Sequence, residues 1–505
     1  MSRITDRRSR DGRAPGGTMA GMHRIAPGHS WALHDAAATR ALEAAAAASL
    51  PPHTLMQRAG SGLARLARAL EPHARRAWVA CGPGNNGGDG LEAAGALARA
   101  GLAVTVTWLG SQACAPADAR ASLARAREAG VQWSDGPPAA FDLAIDALLG
   151  MGASRPLSGT GAAWADRLSR ARQAGQVVLA ADLPSGLSAD TGCGPAVQAS
   201  HTLSLLTLKP GLFTAQGRDA AGEIWFDPLG VEGQGMPTAR LNAPAPRPPR
   251  PHDSHKGRWG DVAVVGGAPG MAGAALLAAG AALHAGAGRV FVALLDDRAM
   301  AADPTQPELM LRPLASLDPR PLHAVVGCGG GDAVRPALPR LLSLARTLVL
   351  DADALNAVAQ DASLQALLQA RGARSAPTVL TPHPLEAARL LGLSAAQVQA
   401  DRLAAAGALA GRFGAVTVLK GSGTVIAAPG QMPRINPTGD ARLATGGTGD
   451  VLAGWIGAGL AEGQEPFEAA CEAVYAHGAA ADAWPAGQAL TASALAARAC
   501  RGTGP

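Results

Sequence analysis

Three short clusters of glycine and oxygen-bearing side chains have the spacing of ligand loops. Residues 81–90 read CGPGNNGGDG. Such glycines let a backbone approach a phosphate, and amides that open a helix supply donors to it. Asn85, Asn86 and Asp89 add oxygens suited to ribose hydroxyls or a hard cation. The run is neither a G-x-G-x-x-G turn nor a P-loop, since the GK[ST] ending is absent. Asp146, in DALLGMGASRP, and Asp182, in DLPSGL, each close an apolar strand-like run. Where these loops share one sheet edge, Asn86, Asp146 and Ser185 form an oxygen set for a monovalent or divalent cation, and Asp182 stays free as a base. The alternatives are a tight Gly/Asn turn for the first loop and helix caps for the aspartates.

A second set lies far downstream. Residues 444–454 read ATGGTGDVLAG and open a helix expected to run to about Leu460. Successive glycine amides at a helix start stabilise charge on a phosphoryl group in flight, and Asp450, next to Gly449, can take a proton from an acceptor hydroxyl. Lys420, Gly421, Ser422, Gly423 and Thr424 (KGSGT) follow a strand-like run and are expected to hold a nucleotide phosphate. Only three of the 44 basic residues are lysine (Lys209, Lys256 and Lys420), and all three fall in glycine-containing motifs. A compact ammonium is expected at each, where a planar guanidinium would not fit.

Loops of this kind need sheets to hold them, and the pattern supplies two. Strands are expected at residues 77–81, 102–109, 142–148, 176–182 and 201–208, with helices at 36–48, 54–70 and 91–100. Alternation restarts with strands at 261–265, 289–295, 323–326, 347–350, 378–380 and 415–419. Both halves therefore read as α/β, each with a parallel sheet covered on both faces. The stretch GQGMPTARLNAPAPRPPRPHDS, between Gly233 and Ser254, is proline-rich and reads as a linker with few buried residues. The expected division is a disordered tail over 1–25, a first domain over 26–232, the linker over 233–254 and a second domain over 255–505.

Length and composition agree. A chain of 505 residues at about 150 per domain holds more than one core. It is 48% apolar and 16% charged, with 64 Gly and 37 Pro spread without a period, which excludes collagen and global disorder. A net charge of +5 is too small a surplus for nucleic acid or an anionic membrane to be the main partner, so small molecules are expected. The apolar stretch 262–295 is broken by glycines and reads as strand, loop, helix and strand rather than a membrane span. Six scattered cysteines without C-x-x-C pairs point to a reducing cytoplasm, and the basic N-terminus lacks the apolar core of a secretory signal.

The ordered series NNGGDG, DALLGMGASRP, DLPSGLSADTG and LTLKPGL resembles the NAD(P)H-hydrate epimerase domain across residues 26–230. The resemblance implies a Rossmann-like N-terminal domain. Its hydrated nicotinamide nucleotide would sit on Asn85, Asn86, Gly87, Gly88 and Asp89, and on the loop of Gly150, Met151, Gly152, Ala153, Ser154, Arg155 and Pro156. It also implies potassium on Asn86, Asp146 and Ser185, with Asp182 at the epimerising carbon. Met151 stands where that family has a small Thr. With HKGRWGDVAVVGGAPGMAGAA and LTPHPLEAARL, the second half is similar to the ribokinase-like ADP-dependent NAD(P)H-hydrate dehydratases over residues 255–497. That implies substrate on Ala274, Gly331, His383 and Asp450, nucleotide on Lys420 to Thr424 and Gly449, and Asp450 as the base. Lys256 is expected to help close the site.

The implied activity is fused repair of hydrated NADH and NADPH: epimerisation of the R and S hydrates, then dehydration of the S form at the expense of ADP. Magnesium bridging the nucleotide phosphates is expected, near Asp351 or Asp353, and homo-oligomers are expected. Three motifs depart from the family pattern. GCGGG stands for GPGLG at 327–331, PHPLE for PHPGE at 382–386, and TGDARL at 438–443 brings Asp440 and Arg442 near the nucleotide. Two rival readings are a vitamin-precursor kinase, which leaves the NNGGDG half without a purpose, and a first domain that senses nucleotide without catalysis.

Overall fold

The computed structural model describes residues 18–19, 21–151, 157–231, 233, 235–244, 250–296 and 300–498. Its two sheets arise where the apolar runs predict them. In the first, Glu223–Asp227, His201–Leu205, Val177–Ala181, Leu143–Ala147, Arg76–Cys81, Ala103–Trp108 and Gln132–Trp133 lie side by side in that order, all parallel. All five residues of Leu143–Ala147 are buried, as a strand covered on both faces requires. Alternate residues serve different cores: Val79 packs with Leu63, Leu91 and Leu97, while Trp78 packs with Phe141, Trp164 and Leu168.

The second sheet runs Met310–Leu311, Arg289–Leu294, Asp261–Gly266, His323–Val326, Thr347–Leu350, Thr378–Leu380 and Val416–Leu419, again parallel. Val425–Ala427 and Arg434–Ile435 extend it antiparallel. The stretch read as strand, loop, helix and strand does so, with its helix at Ala272–His284. No helix among the described residues is long and apolar enough to cross a membrane.

Two boundary expectations are corrected. Within the expected linker, Ala239–Leu241 forms a strand parallel to Arg434–Ile435, with Ala239 and Leu241 buried. On its far side it pairs with Ala32–Leu33, from the start of the first domain. Proline flanks this strand but does not interrupt it, so the ladder amides of Arg240 and Leu241 remain available. The expected tail is also too long, because Met22–Arg24 pairs antiparallel with Glu223–Asp227 and Met22 is fully buried. The domains are consequently joined by a shared core in which Leu33, Leu212 and Phe213 pack with Leu241 and Ile435.

Candidate functional sites

Both parallel sheets place their first strand beside a later one, so the loops leaving the carboxyl ends diverge and open a crevice. In the first sheet this occurs between Arg76–Cys81 and Leu143–Ala147. Only Gly82 to Gly84 of the glycine run form a loop: the helix begins at Asn85, and Asn85 to Asp89 form its opening turns. Close packing sets these glycines. A Cβ on Gly87 would lie 2.0 Å from the Gly82 carbonyl oxygen, and one on Gly88 2.6 Å from the Met56 sulfur. A cavity of about 660 Å³ opens beside them, lined by Asn85, Asn86, Asp89, Gly150, Met151 and Asp182 among others. Gly152 to Pro156 lie outside the described residues.

Two of the expected cation ligands, Asp146 and Ser185, are in direct contact. Ser185 donates to Asp146 through its hydroxyl (2.6 Å) and its amide (2.8 Å). Burial pushes the Asp146 carboxyl up to about 6, only partly offset by these bonds. Asn86 has a buried side-chain nitrogen without a hydrogen-bond partner among the described residues, and its carboxamide lies against Gly150. A buried carboxylate bonded to a hydroxyl, with no basic side chain bonded to it among the described residues, fits a cation with oxygen ligands.

Asp182 sits in the left-handed region at φ 66°, just beyond the end of Val177–Ala181. Its Oδ1 accepts from the Leu205 amide (3.0 Å) and from the ammonium of Lys209, which is fully buried. Oδ2 accepts no hydrogen bond from the described residues, so one oxygen is clamped and the other is left for chemistry. The lysine economy now has a physical reason: Lys209 also donates to the Leu205 carbonyl (2.7 Å), a pocket sized for one compact ammonium.

The second site repeats this device. Lys420 donates to Asp351 Oδ1 (2.7 Å), which also accepts from the Thr381 hydroxyl (2.7 Å). Asp450 lies in the first turn of Thr448–Ala461, and a Cβ on Gly449 would meet the Lys420 ammonium at 3.4 Å. Ligand atoms of Cys328, Asp351 and Asp450 all lie within 4.8 Å of one another. Burial first, then the Asp351 charge, pushes the Asp450 carboxyl up to about 6, against the Cys328 hydrogen bond and Lys420. That is the range of a general base working near neutral pH. Two carboxylates share a single ammonium here, a surplus of negative charge that fits a magnesium ion arriving with nucleotide phosphates.

His383 is a helix cap. It follows Pro382, whose carbonyl accepts from the Lys420 amide (2.9 Å), and its Nδ1 accepts from the Leu385 and Glu386 amides (3.1 and 3.4 Å), capping Pro384–Leu391, while Glu386 accepts from the His383 amide (2.8 Å). Burial lowers its basicity, which keeps the cap intact. Gly329 lies against Ala274, and the Gly331 amide is held by Asp353 Oδ2 (2.8 Å). Of the two carboxylates expected near magnesium, Asp353 is therefore occupied with the loop. Among the departures, Cys328 is fully buried beside Asp450, Leu385 projects into solvent, and Asp440 pairs with Arg442. Lys256 is displaced from its expected role: it is exposed in a turn ahead of Asp261–Gly266, at the amino end of the sheet and opposite the site.

Two features escape sequence reasoning. Glu43, the sole acidic residue of helix Ala36–Ser49, lines the first cavity, and that isolation was its only signal. Next, the segment after Lys209 docks on the expected nucleotide loop. Ser422 donates to the Ala215 carbonyl (3.0 Å), the Ala215 amide donates to the Ser422 carbonyl (3.1 Å), and a Cβ on Gly423 would lie 2.0 Å from the Phe213 oxygen.

Comparisons with known proteins match this two-site division. Residues 52–211 match the family described as YjeF-related protein N-terminus, and residues 262–501 the family described as NAD(P)H-hydrate dehydratase. The Bifunctional NAD(P)H-hydrate repair enzyme Nnr of Escherichia coli is 38% identical, covering 87% of each chain. That of Coxiella burnetii is 37% identical over 85% of this chain and 90% of its own. The ADP-dependent (S)-NAD(P)H-hydrate dehydratase of Neisseria meningitidis is 48% identical over 46% of this chain and 80% of its own. A Bacillus subtilis ADP/ATP-dependent NAD(P)H-hydrate dehydratase, co-crystallised with ATP and Mg2+, is 30% identical, covering 50% of this chain and 92% of its own with a TM-score of 0.42. With both domain families in order along one chain, and full-length relatives above a third identical, this protein belongs to the family of bifunctional NAD(P)H-hydrate repair enzymes.

Proposed function

We propose that the chain epimerises the R and S hydrates of NADH and NADPH in its first domain and dehydrates the S hydrate in its second, consuming ADP and releasing AMP and phosphate. The observation that carries this reading is the pair of aspartates, Asp182 and Asp450, each at the ligand edge of its own sheet, the first bonded to the Lys209 ammonium and the second beside the Lys420–Asp351 contact. In the first site Asn85 to Asp89 and Gly150 to Pro156 bind the nucleotide, Asp182 exchanges a proton at the substrate, and Asn86, Asp146 and Ser185 hold potassium. Potassium would neutralise the buried Asp146 and fix the two loops against each other.

In the second site the problem is that hydroxide is a poor leaving group. Asp450 takes the proton of the substrate hydroxyl as its oxygen attacks the terminal phosphorus of ADP, and the phosphoryl bond to AMP breaks. Amides at the helix start and Lys420 to Thr424 stabilise the transferring group. Loss of phosphate from the substrate, with a proton from the adjacent carbon, restores the ring double bond. Ala274, Gly331 and His383 shape the substrate pocket, and magnesium would balance the charge of the nucleotide phosphates. The test follows dihydronicotinamide absorbance after adding the purified chain, magnesium, potassium and ADP to S hydrate, with ATP and no-nucleotide controls. Nucleotide-dependent recovery that falls ~10²–10⁴-fold in Asp450→Asn is the expected result. No recovery with any nucleotide would overturn the reading and favour a kinase substrate.

A further inference from the structure

The epimerisation just proposed has a chemical requirement that Asp182 alone does not meet. The hydrated carbon carries a hydroxyl and is bonded to the ring nitrogen, so inverting it means breaking and remaking a bond at that carbon. Opening the ring removes a proton from the hydroxyl oxygen and delivers one to the nitrogen. A base and an acid are both needed, on opposite sides of the bond that breaks.

Asp182 can supply the base through its unclamped oxygen, and three further carboxyls line the cavity: Asp118, which pairs with His53 (2.5 Å), Asp89 on the facing helix, and Glu43, whose placement suits the acid. Glu43 lines the same cavity as Asp182. Its position is built: Asp35 caps the helix Ala36–Ser49 by accepting from the Ala38 amide (2.7 Å), and the Ala36 amide donates to Asp190 (2.7 Å). The Thr39 hydroxyl meets that of Thr207 (2.8 Å), within the segment whose Leu205 amide holds Asp182. Glu43 lies one turn after Thr39 on the same helix face, so the contact that docks the helix also presents Glu43 to the cavity. Burial raises its carboxyl above the usual range, and the Asp182 charge raises it further, against Lys209 and Arg40, with Asp118 a weaker contributor. Asp89 is coupled to it from the facing helix.

We propose that Glu43 is the catalytic acid of the epimerase site, paired with Asp182 as the base. Asp182 takes the hydroxyl proton and the oxygen becomes a carbonyl. The carbon–nitrogen bond breaks with its electron pair going to nitrogen, which takes the Glu43 proton. The opened aldehyde turns about its neighbouring bond, and nitrogen attacks the other face. Its proton then returns to Glu43, and oxygen takes one back from Asp182. No oxidant or co-reactant is consumed.

The inference rests on the proposed epimerase activity, and one experiment separates the two. Purified R hydrate is given to the full chain without nucleotide, so that dehydration is idle, and S hydrate is followed by chromatography across pH. For Glu43→Gln we expect kcat to fall ~10²–10⁴-fold with KM little changed. The fall in enzyme-dependent rate on the alkaline side should also disappear, and Glu43→Asp should recover part of the rate. Unchanged hydrogen exchange of the first-domain strands Val177–Ala181 and His201–Leu205 reports that the variant's first domain is folded, and dehydration of S hydrate with ADP on the same sample reports the second. Epimerisation by Glu43→Gln within threefold of the unsubstituted chain would overturn the proposal, as would a loss confined to KM. An unsubstituted chain that fails to epimerise would instead overturn the activity itself.

Discussion

Replacing Lys209 by methionine keeps the length of the side chain and removes its charge. In the structure the ammonium is fully buried, Asp182 is only 7% exposed, and the two are in direct contact. Removing one partner of such a pair leaves the other charge uncompensated, which costs about 3–5 kcal/mol. Lys209 also donates to the Leu205 carbonyl, which retains the Thr207 amide (2.7 Å) when the ammonium is gone, so the cost falls mainly on the stranded Asp182 charge. Because the chain has two domains, the cost is best read locally, by hydrogen exchange of the neighbouring strands Val177–Ala181 and His201–Leu205. At roughly 1.4 kcal/mol per factor of ten, their protection should fall by ~10²–10⁴-fold. The double variant Lys209→Met with Asp182→Asn removes the stranded charge, and Asn tolerates the left-handed backbone at that position. It should recover at least half of the lost protection on a logarithmic scale. Unchanged protection in the single variant, or a double variant no better than the single, would refute the view that this pair is coupled and buried.

Three further outcomes follow from the geometry. The dehydratase rate should rise with pH through about 6 as Asp450 ionises, measured as kcat/KM for S hydrate at saturating ADP. The sign for stability is opposite: the folded carboxyl is held above its usual value, so its contribution is greatest below pH ~4 and is lost as pH rises through about 6. Gly87→Ala would place a Cβ 2.0 Å from the Gly82 oxygen and push the helix start away, so epimerisation should drop more than ~10-fold while dehydration persists. Gly423→Ala would clash with Phe213 at φ 62°, and both the KM for nucleotide and protease sensitivity near Ala215 should increase.

Much of this architecture was legible. Runs such as residues 143–145 and 347–350 are short and almost wholly apolar and lead into an Asp, and in a parallel sheet covered on both faces nothing else competes for them. The aspartates that end these strands were found for the same reason. The glycine run at 81–90 misled in one respect, because Gly87, Gly88 and Gly90 serve close packing inside a helix rather than freedom in a loop. Ala32–Leu33 and Ala239–Leu241 were invisible because two- and three-residue strands carry no periodicity, and their pairing spans some two hundred residues of chain. Glu43 escaped since no motif surrounds it. Its role comes from the Thr39–Thr207 contact, which only the fold creates.

The central claim is that one chain carries both activities, and a single measurement reaches it most directly. A mixed R and S hydrate preparation of known composition is given to the full chain with magnesium, potassium and ADP, and the final recovery of dihydronicotinamide absorbance is recorded. Complete recovery is predicted for the unsubstituted chain. For Asp182→Asn, recovery should stop at the S fraction and then creep upward only at the spontaneous rate. Equal and complete fast recovery by that variant, or arrest of the unsubstituted chain at the S fraction, would contradict the account.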